Sequence, residues 1–326
     1  MTNKKNKNKL EKENEDTNEG SSNPQNIESI MEEILEILNI QTPYNQRLSE
    51  IDNIINQIDA NYPILNLTLL SPTLNYKQTS FLITPKGLQN SKRGGKDGIV
   101  LFGYERKNKN NNINNLSSES NNNNIEENSD DFLLNDFIFP IEEKENNNSL
   151  YEFPNFAIYF NTKDKNYYIK DFNTGVGALM KIKEYKIEGN TLINIGTNYL
   201  VVNLEKNKII IKIFNHTILE NNNNKEQKGK NCDIQEFLIE NNKNRLITIG
   251  RSVKCDITIE DVMLSKIHTC IEYRAKEKSF YLYDGDNKKE STNGTWVFIL
   301  NPIQITDNFT FKAEHTLFVA NLSNNK

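Results

Sequence analysis

The spacing of apolar residues changes twice along the chain. Residues 1–26 are dominated by Lys, Asn and Glu with almost nothing to bury, which predicts a disordered arm. From Ile27 onward, Ile27, Ile30, Met31, Ile34, Leu35 and Leu38 recur at helical spacing. After the break at Thr42 and Pro43, a second set (Leu48, Ile51, Ile55 and Ile58) does the same until Pro63. A helical hairpin is therefore expected over residues 27–61. Each stripe is far shorter than a coiled coil needs, so packing on the neighbouring domain is the favoured use, with weak self-association through 27–61 as the alternative. Past Leu70 the helical period disappears. Short apolar runs such as "SFLIT", "GIVLFG", "FAIYF", "YLVVNL", "KIIIKIF", "LITIG" and "FYLYD" alternate with Asn, Gly and Asp, which predicts an all-β sandwich or barrel. Two polar segments interrupt the pattern, one near 106–131 and one reading "ENNNNKEQKGKN"; both are expected as solvated insertions between strands.

Composition narrows the class of protein. The 326 residues carry 36% hydrophobic content and a mean hydropathy of -0.69, too polar for one compact body and enough for two modest domains. A net charge of -5 argues against a nucleic-acid binder held by a global basic field, so proteins are the expected partners. Three cysteines, Cys232, Cys255 and Cys270, do not suggest a disulfide framework. No apolar run reaches the roughly 20 residues needed to cross a bilayer, and the N-terminal stretch lacks the core of a signal peptide. A soluble protein of a reducing compartment, cytoplasmic or nuclear, is expected.

One stretch places chemistry at the rims of sheet. "TIGRSVKCDITIEDVMLSKIHTCIEY" puts Arg251 after one apolar run and Ser265, Lys266 and His268 before the next, and "STNGTW" precedes another. A sandwich gathers its loops at its ends, so these polar residues can converge on one shallow site. An arginine fork, a hydroxyl and a turn with free amides suit a phosphate group of charge about -1.5 to -2 with three acceptor oxygens. Singly, each residue has a duller use: a surface ion pair for Arg251, a satisfied loop histidine for His268, a hairpin turn for Asn293-Gly294.

The ordered set Gly-Arg, Ser-x-x-His, Asn-Gly resembles the forkhead-associated (FHA) domain, over roughly residues 207–323. That resemblance implies an eleven-stranded β-sandwich that binds phosphothreonine peptides through loops at one end. It implies further that Arg251 and Ser265 hold the phosphate, that Lys266 and Thr292 add contacts, and that Asn293 bonds the peptide backbone. Gly250, His268 and Gly294 would support the site, and Met263, two before the serine, would read the third residue after the phosphothreonine. The departure lies after Trp296, where "VFILNPIQITDNFTFKA" lacks the family's Asn-Gly and Gly-Asp turns. Residues 62–206 resemble a diverged copy of the same domain, with Tyr104, Glu152, Asn155 and Val176 where Arg251, Ser265, His268 and Asn293 stand; an unrelated β domain is the alternative. The whole is thus expected as two tandem FHA-like sandwiches, 62–206 and 207–323.

Other chemistry finds little support in the sequence. "KRGGKDG" lacks the glycine spacing and the Ser or Thr of a phosphate loop and reads as a turn. No residues have zinc spacing, Cys255 and Cys270 read as small core residues of strands, and no acid–base pair stands out, so neither metal, cofactor nor catalytic residue is expected. The expected function is a phosphothreonine-reading adaptor. A scaffold that no longer reads phosphate, or a regulatory subunit of a kinase or ubiquitin-pathway complex, is the alternative.

Overall fold

The structure is a computed structural model that describes residues 24–57, 62–70, 79–91, 93–104, 134–139, 154–174, 177–206, 208–214, 232–240, 243–286, 288–313 and 316–324. The predicted insertion at 106–131, the Asn-rich segment ending at residue 231 and most of the predicted N-terminal arm lie outside these residues.

Two helices open the described chain, α1 (Pro24–Ile37) and α2 (Tyr44–Ile55). The first half then supplies β1 (Pro63–Leu69), β2 (Ser80–Thr84), β3 (Gly87–Leu88), β4 (Ile99–Tyr104), β5 (Phe137–Phe139), β6 (Phe156–Asn161) and β7 (Asn166–Asp171). It continues with β8 (Ala178–Ile182), β9 (Glu184–Ile187), β10 (Thr191–Ile195) and β11 (Asn198–Glu205). The second half begins with β12 (Lys208–Phe214), β13 (Asp233–Leu238), β14 (Arg245–Gly250), β15 (Ile257–Thr258) and β16 (Thr269–Arg274). Its remaining strands are β17 (Ser279–Asp284), β18 (Thr295–Phe298), β19 (Ile303–Gln304), β20 (Phe309–Ala313) and β21 (Thr316–Asn324). The fold is all-β with an N-terminal helical pair, as the apolar spacing predicts.

Strand sequences explain which faces are covered. β12, "KIIIKIF", alternates buried and half-buried positions because only one of its faces meets the core. β4 and β6 are buried at five successive positions, since a second layer covers their other face. That layer is α1: Met31, Ile34, Leu35 and Leu38 pack on Ile99, Leu101, Ala157 and Tyr159. The α1 part of the stripe predicted to serve either packing or self-association is therefore packed within the chain. α2 buries Ile51 and Ile54 against the sheet, and polar contacts add to that packing. The buried Arg47 donates to the carbonyls of Asp97 (2.6 Å) and Phe160 (2.7 Å). Beside it, Arg93 forms buried ion pairs with Asp97 (2.7 Å) and Asp136 (3.0 Å). Residues 93–98 of the stretch "KRGGKDG" thus form a turn whose Arg93 and Asp97 anchor the helices to the sheet. No helix among the described residues is long and apolar enough to cross a membrane.

The strands form one eleven-stranded sheet, ordered β13-β12-β11-β10-β18-β8-β20-β21-β1-β2-β3, and two five-stranded sheets, β15-β14-β16-β17-β9 and β19-β7-β6-β4-β5. From β4 to β11, each strand has a counterpart ten places later, and β1 and β2 have theirs in β12 and β13. Exchanging counterparts turns the large sheet, β3 aside, into its own reverse and each small sheet into the other. The ladder types agree: β4–β5 and β14–β15 are the parallel pairs. The structure is internally two-fold.

Hydrogen bonding runs across residue 206, the boundary expected from the sequence. β9 completes the small sheet of the second half through β17, and β10 and β11 lie between β18 and β12. In return β19 pairs with β7, while β20 and β21 lie between β8 and β1. Each half lends its last three strands to the other. Side chains follow suit: Phe318 of β21 stacks on Phe311 at 4.7 Å and meets Phe102, Phe137 and Phe139 of the first half at 6.1, 5.9 and 6.4 Å.

Candidate functional site

Three loops meet at one end of the sandwich built on β14–β17: residues 251–256 after β14, 259–268 before β16, and 285–294 before β18. The first two are joined by backbone. The N–H of Arg251 donates to the carbonyl of Ser265 (3.1 Å), and that of Ser252 to the carbonyl of Lys266 (3.1 Å). Gly250 permits this approach, because a Cβ there would lie 2.5 Å from the Lys266 carbonyl oxygen. The second and third loops are joined through Ser265, whose Oγ accepts the Thr292 N–H (3.1 Å) and sits 3.4 Å from Thr292 Oγ1. Asn293 Nδ2 donates to the carbonyl of Met263 (2.7 Å).

His268 is buried behind these loops. Its Nδ1 accepts the Ser265 N–H (3.1 Å), so Nε2 carries the proton and donates to the Gly294 carbonyl (3.1 Å). Both ring nitrogens are thereby used to hold two loops in place. Asp284 braces the third loop: it accepts from the hydroxyls of Ser291 (2.6 Å) and Thr295 (2.9 Å), and Ser291 Oγ in turn accepts the Gly294 N–H (2.9 Å). Trp296 Nε1 donates to the Asn293 carbonyl (3.0 Å). Arg251, Met263, Lys266, Thr292 and Asn293 are exposed and Ser265 half-exposed, so a cation, two hydroxyls, an amide and an ammonium share one rim over a rigid base. Among the described residues no carboxylate forms an ion pair with Arg251. Its guanidinium faces solvent as a site for an anion would require.

Every residue predicted from the sequence for this site lies at this rim or directly beneath it. Asp261, Asp284, Ser291 and Thr295 were not singled out by sequence reasoning; only "STNGTW" hinted at the last two. Cys255 is a correction: it lies half-buried in the loop after β14, where its backbone N–H bonds Ser252, whereas Cys270 is buried on β16 as expected.

Protonation of His268 tests the base of the site. Burial lowers its affinity for protons, against a smaller upward pull from the Gly294 carbonyl and Asp284, and leaves it below its ordinary 6.5. Unfolded histidine takes up a proton first as pH falls, so the folded state loses stability from about pH 6.5 downward. The melting temperature of the free protein is expected to drop between pH 6.5 and 5, and less steeply in His268→Asn. Equal slopes in the two proteins would contradict this.

The equivalent end of the other sandwich carries different residues at matching registers. Asn155 N–H donates to Phe102 O (2.7 Å) and Asn155 O accepts from Phe172 (2.9 Å), as His268 does with Ile249 (2.8 Å) and Gly285 (2.8 Å). Gly103 pairs with Ile138 as Gly250 pairs with Thr258, which sets Tyr104 in the place of Arg251. Tyr104 packs on Phe139 at 5.7 Å. Glu152 and Val176, expected opposite Ser265 and Asn293, lie outside the described residues.

In comparison with known families, residues 247–312 fit the family model of the FHA domain. The matched stretch runs from β14 through the three loops into β20, so the second half carries an FHA domain, of a family known for binding phosphothreonine peptides. No curated protein and no solved structure matches the chain.

Proposed function

We propose that this protein is an adaptor that recruits phosphothreonine-containing proteins through the loops around Arg251. The observation that carries the reading is the exposed Arg251 beside the Ser265–Thr292 pair, on a base held by His268. Arg251 and Ser265 take the phosphate oxygens, and Lys266 and Thr292 add contacts beside it. Asn293, whose amide donates to the Met263 carbonyl, uses its remaining hydrogen-bonding capacity on the peptide backbone. The exposed Met263 faces residues after the phosphothreonine and favours apolar ones, since burying an unpaired carboxylate beside it is costly. We also read residues 62–206 as a diverged FHA-like half whose phosphate contacts are gone, because Tyr104 offers no charge where Arg251 offers a fork.

Calorimetric titration with a phosphothreonine peptide, its unphosphorylated form and its phosphoserine form tests the reading. The phosphothreonine peptide is expected to bind, the unphosphorylated one not at all. The phosphoserine peptide is expected to bind about 1 kcal/mol more weakly, the worth of one buried methyl-sized group. Equal binding of phosphorylated and unphosphorylated peptides would refute phosphate recognition.

A further inference from the structure

We infer that the first half of the chain supplies a positioning element of the phosphothreonine site: the β10–β11 turn, Gly196-Thr197-Asn198, which holds the loop before Ser265 through Asp261. This rests on the proposed function and extends it to residues some sixty positions away in sequence.

Asp261 is the joint. Its Oδ2 accepts the Thr197 N–H (2.9 Å), the Thr197 hydroxyl (2.9 Å) and Asn198 Nδ2 (2.8 Å), all from the first half. Its Oδ1 accepts the N–H of Met263 (2.7 Å), and its carbonyl accepts that of Leu264 (3.1 Å). One carboxylate thus clamps the turn on one side and the loop on the other. The loop passes directly from Leu264 to Ser265, and Asn293 is bonded to Met263, so displacement of Asp261 is transmitted to both proposed peptide contacts. Burial alone would raise the Asp261 pKa, but the donors from Thr197, Met263 and Asn198 hold it below the ordinary carboxylate value, so the clamp stays charged near neutrality.

The fit is close as well as polar. Gly196 adopts a left-handed φ of +54°, and a Cβ there would lie 2.6 Å from Asp261 Oδ2, 3.0 Å from Leu264 Cδ2 and 3.2 Å from Met263 Cβ. The turn is in van der Waals contact with the loop it bonds. Because β10 and β11 pair with β18 and β12, the turn is fixed to the second sandwich while its chain belongs to the first half. The half without the arginine therefore contributes to the site of the half that has it.

The test uses the full chain with Thr197→Ala, which removes the hydroxyl donor, and Thr197→Ser, which keeps it. Two readouts are taken: amide hydrogen exchange at Met263 and Leu264 in the free protein, and affinity for one phosphothreonine peptide, with Arg251→Ala as control. Thr197→Ala is expected to quicken exchange at those two amides and to weaken the peptide about threefold to tenfold, the range for loss of a hydrogen bond to a charged group that only partly orders the loop. The melting temperature stays near wild type, and Thr197→Ser behaves as wild type in both readouts. Unchanged exchange in Thr197→Ala overturns the inference, as does quickened exchange with unchanged affinity. If Arg251→Ala binds as well as wild type, the phosphate reading fails instead, and the exchange data still decide whether the turn orders the loop.

Discussion

Arg251→Ala is expected to weaken a phosphothreonine peptide at least tenfold while the protein keeps its melting temperature. Charge-assisted hydrogen bonds contribute about 1.5–3 kcal/mol each, and one such bond lost is roughly a tenfold change in affinity. Stability should not follow, because the Arg251 side chain is exposed and the loop is tied by its backbone N–H to Ser265, which alanine retains. Arg251→Lys is expected to recover little, since an ammonium keeps the charge without the planar fork. His268→Ala provides the contrast: it removes bonds to Ser265 and Gly294 inside the base of the site, so affinity and stability fall together. Calorimetric titration alongside thermal melts separates the two patterns. Wild-type affinity in a folded Arg251→Ala would leave the scaffold reading in possession.

Phe318→Ala is expected to cost about 3–5 kcal/mol of stability, the usual loss for truncating a fully buried aromatic. Its location makes it informative beyond that figure. Phe318 lies near the C-terminal end of the chain, yet its ring contacts, Phe311 apart, are Phe102, Phe137 and Phe139 of the first half. Hydrogen exchange should therefore quicken first in β4 and β6, more than 150 residues earlier in the chain, and later in β14 and β16. If exchange quickens chiefly in β14–β17 instead, the C-terminal strands do not pack where the strand pairing puts them. Urea denaturation gives the magnitude and exchange gives the location.

Much of the fold and most of the site could be read from the sequence, for local reasons. Alternation in "KIIIKIF" and continuous apolar runs in "GIVLFG" and "FAIYF" reflect whether one or two faces of a strand are covered, and both signatures are visible within six or seven residues. The helical stripe Met31, Ile34, Leu35, Leu38 is equally local. Arg251, Ser265, His268 and Asn293 are legible as candidates because each sits at a strand rim in the order that resembles the FHA signature. Asp261 was invisible for the opposite reason: an aspartate in a polar loop has no pattern of its own, and the residues that give it a role are at 197 and 198. Partner choice among strands escaped for the same reason. "YLVVNL" and "LFVANL" present the same alternation of apolar side chains, so nothing local tells β11 from β21 as the neighbour of β12. The buried Arg93–Asp97–Asp136 cluster was likewise hidden, because its members are spread over 44 positions and join only in the folded chain.

The lending of strands between halves also fixes an order of events as the chain is made. β1 is hydrogen-bonded to β21, from Pro63 opposite Asn324 to Leu69 opposite Phe318, so the sandwich of the first half stays open at that edge until the ribosome has delivered residue 324. The second sandwich is better placed, since β9, β10 and β11 emerge before the strands they join. The half carrying the Arg251 loops can therefore close first, with the earlier-made half waiting on β21. During that wait the apolar row Leu65, Leu67 and Leu69 lies uncovered beside an unpaired strand edge, the condition under which nascent chains associate wrongly.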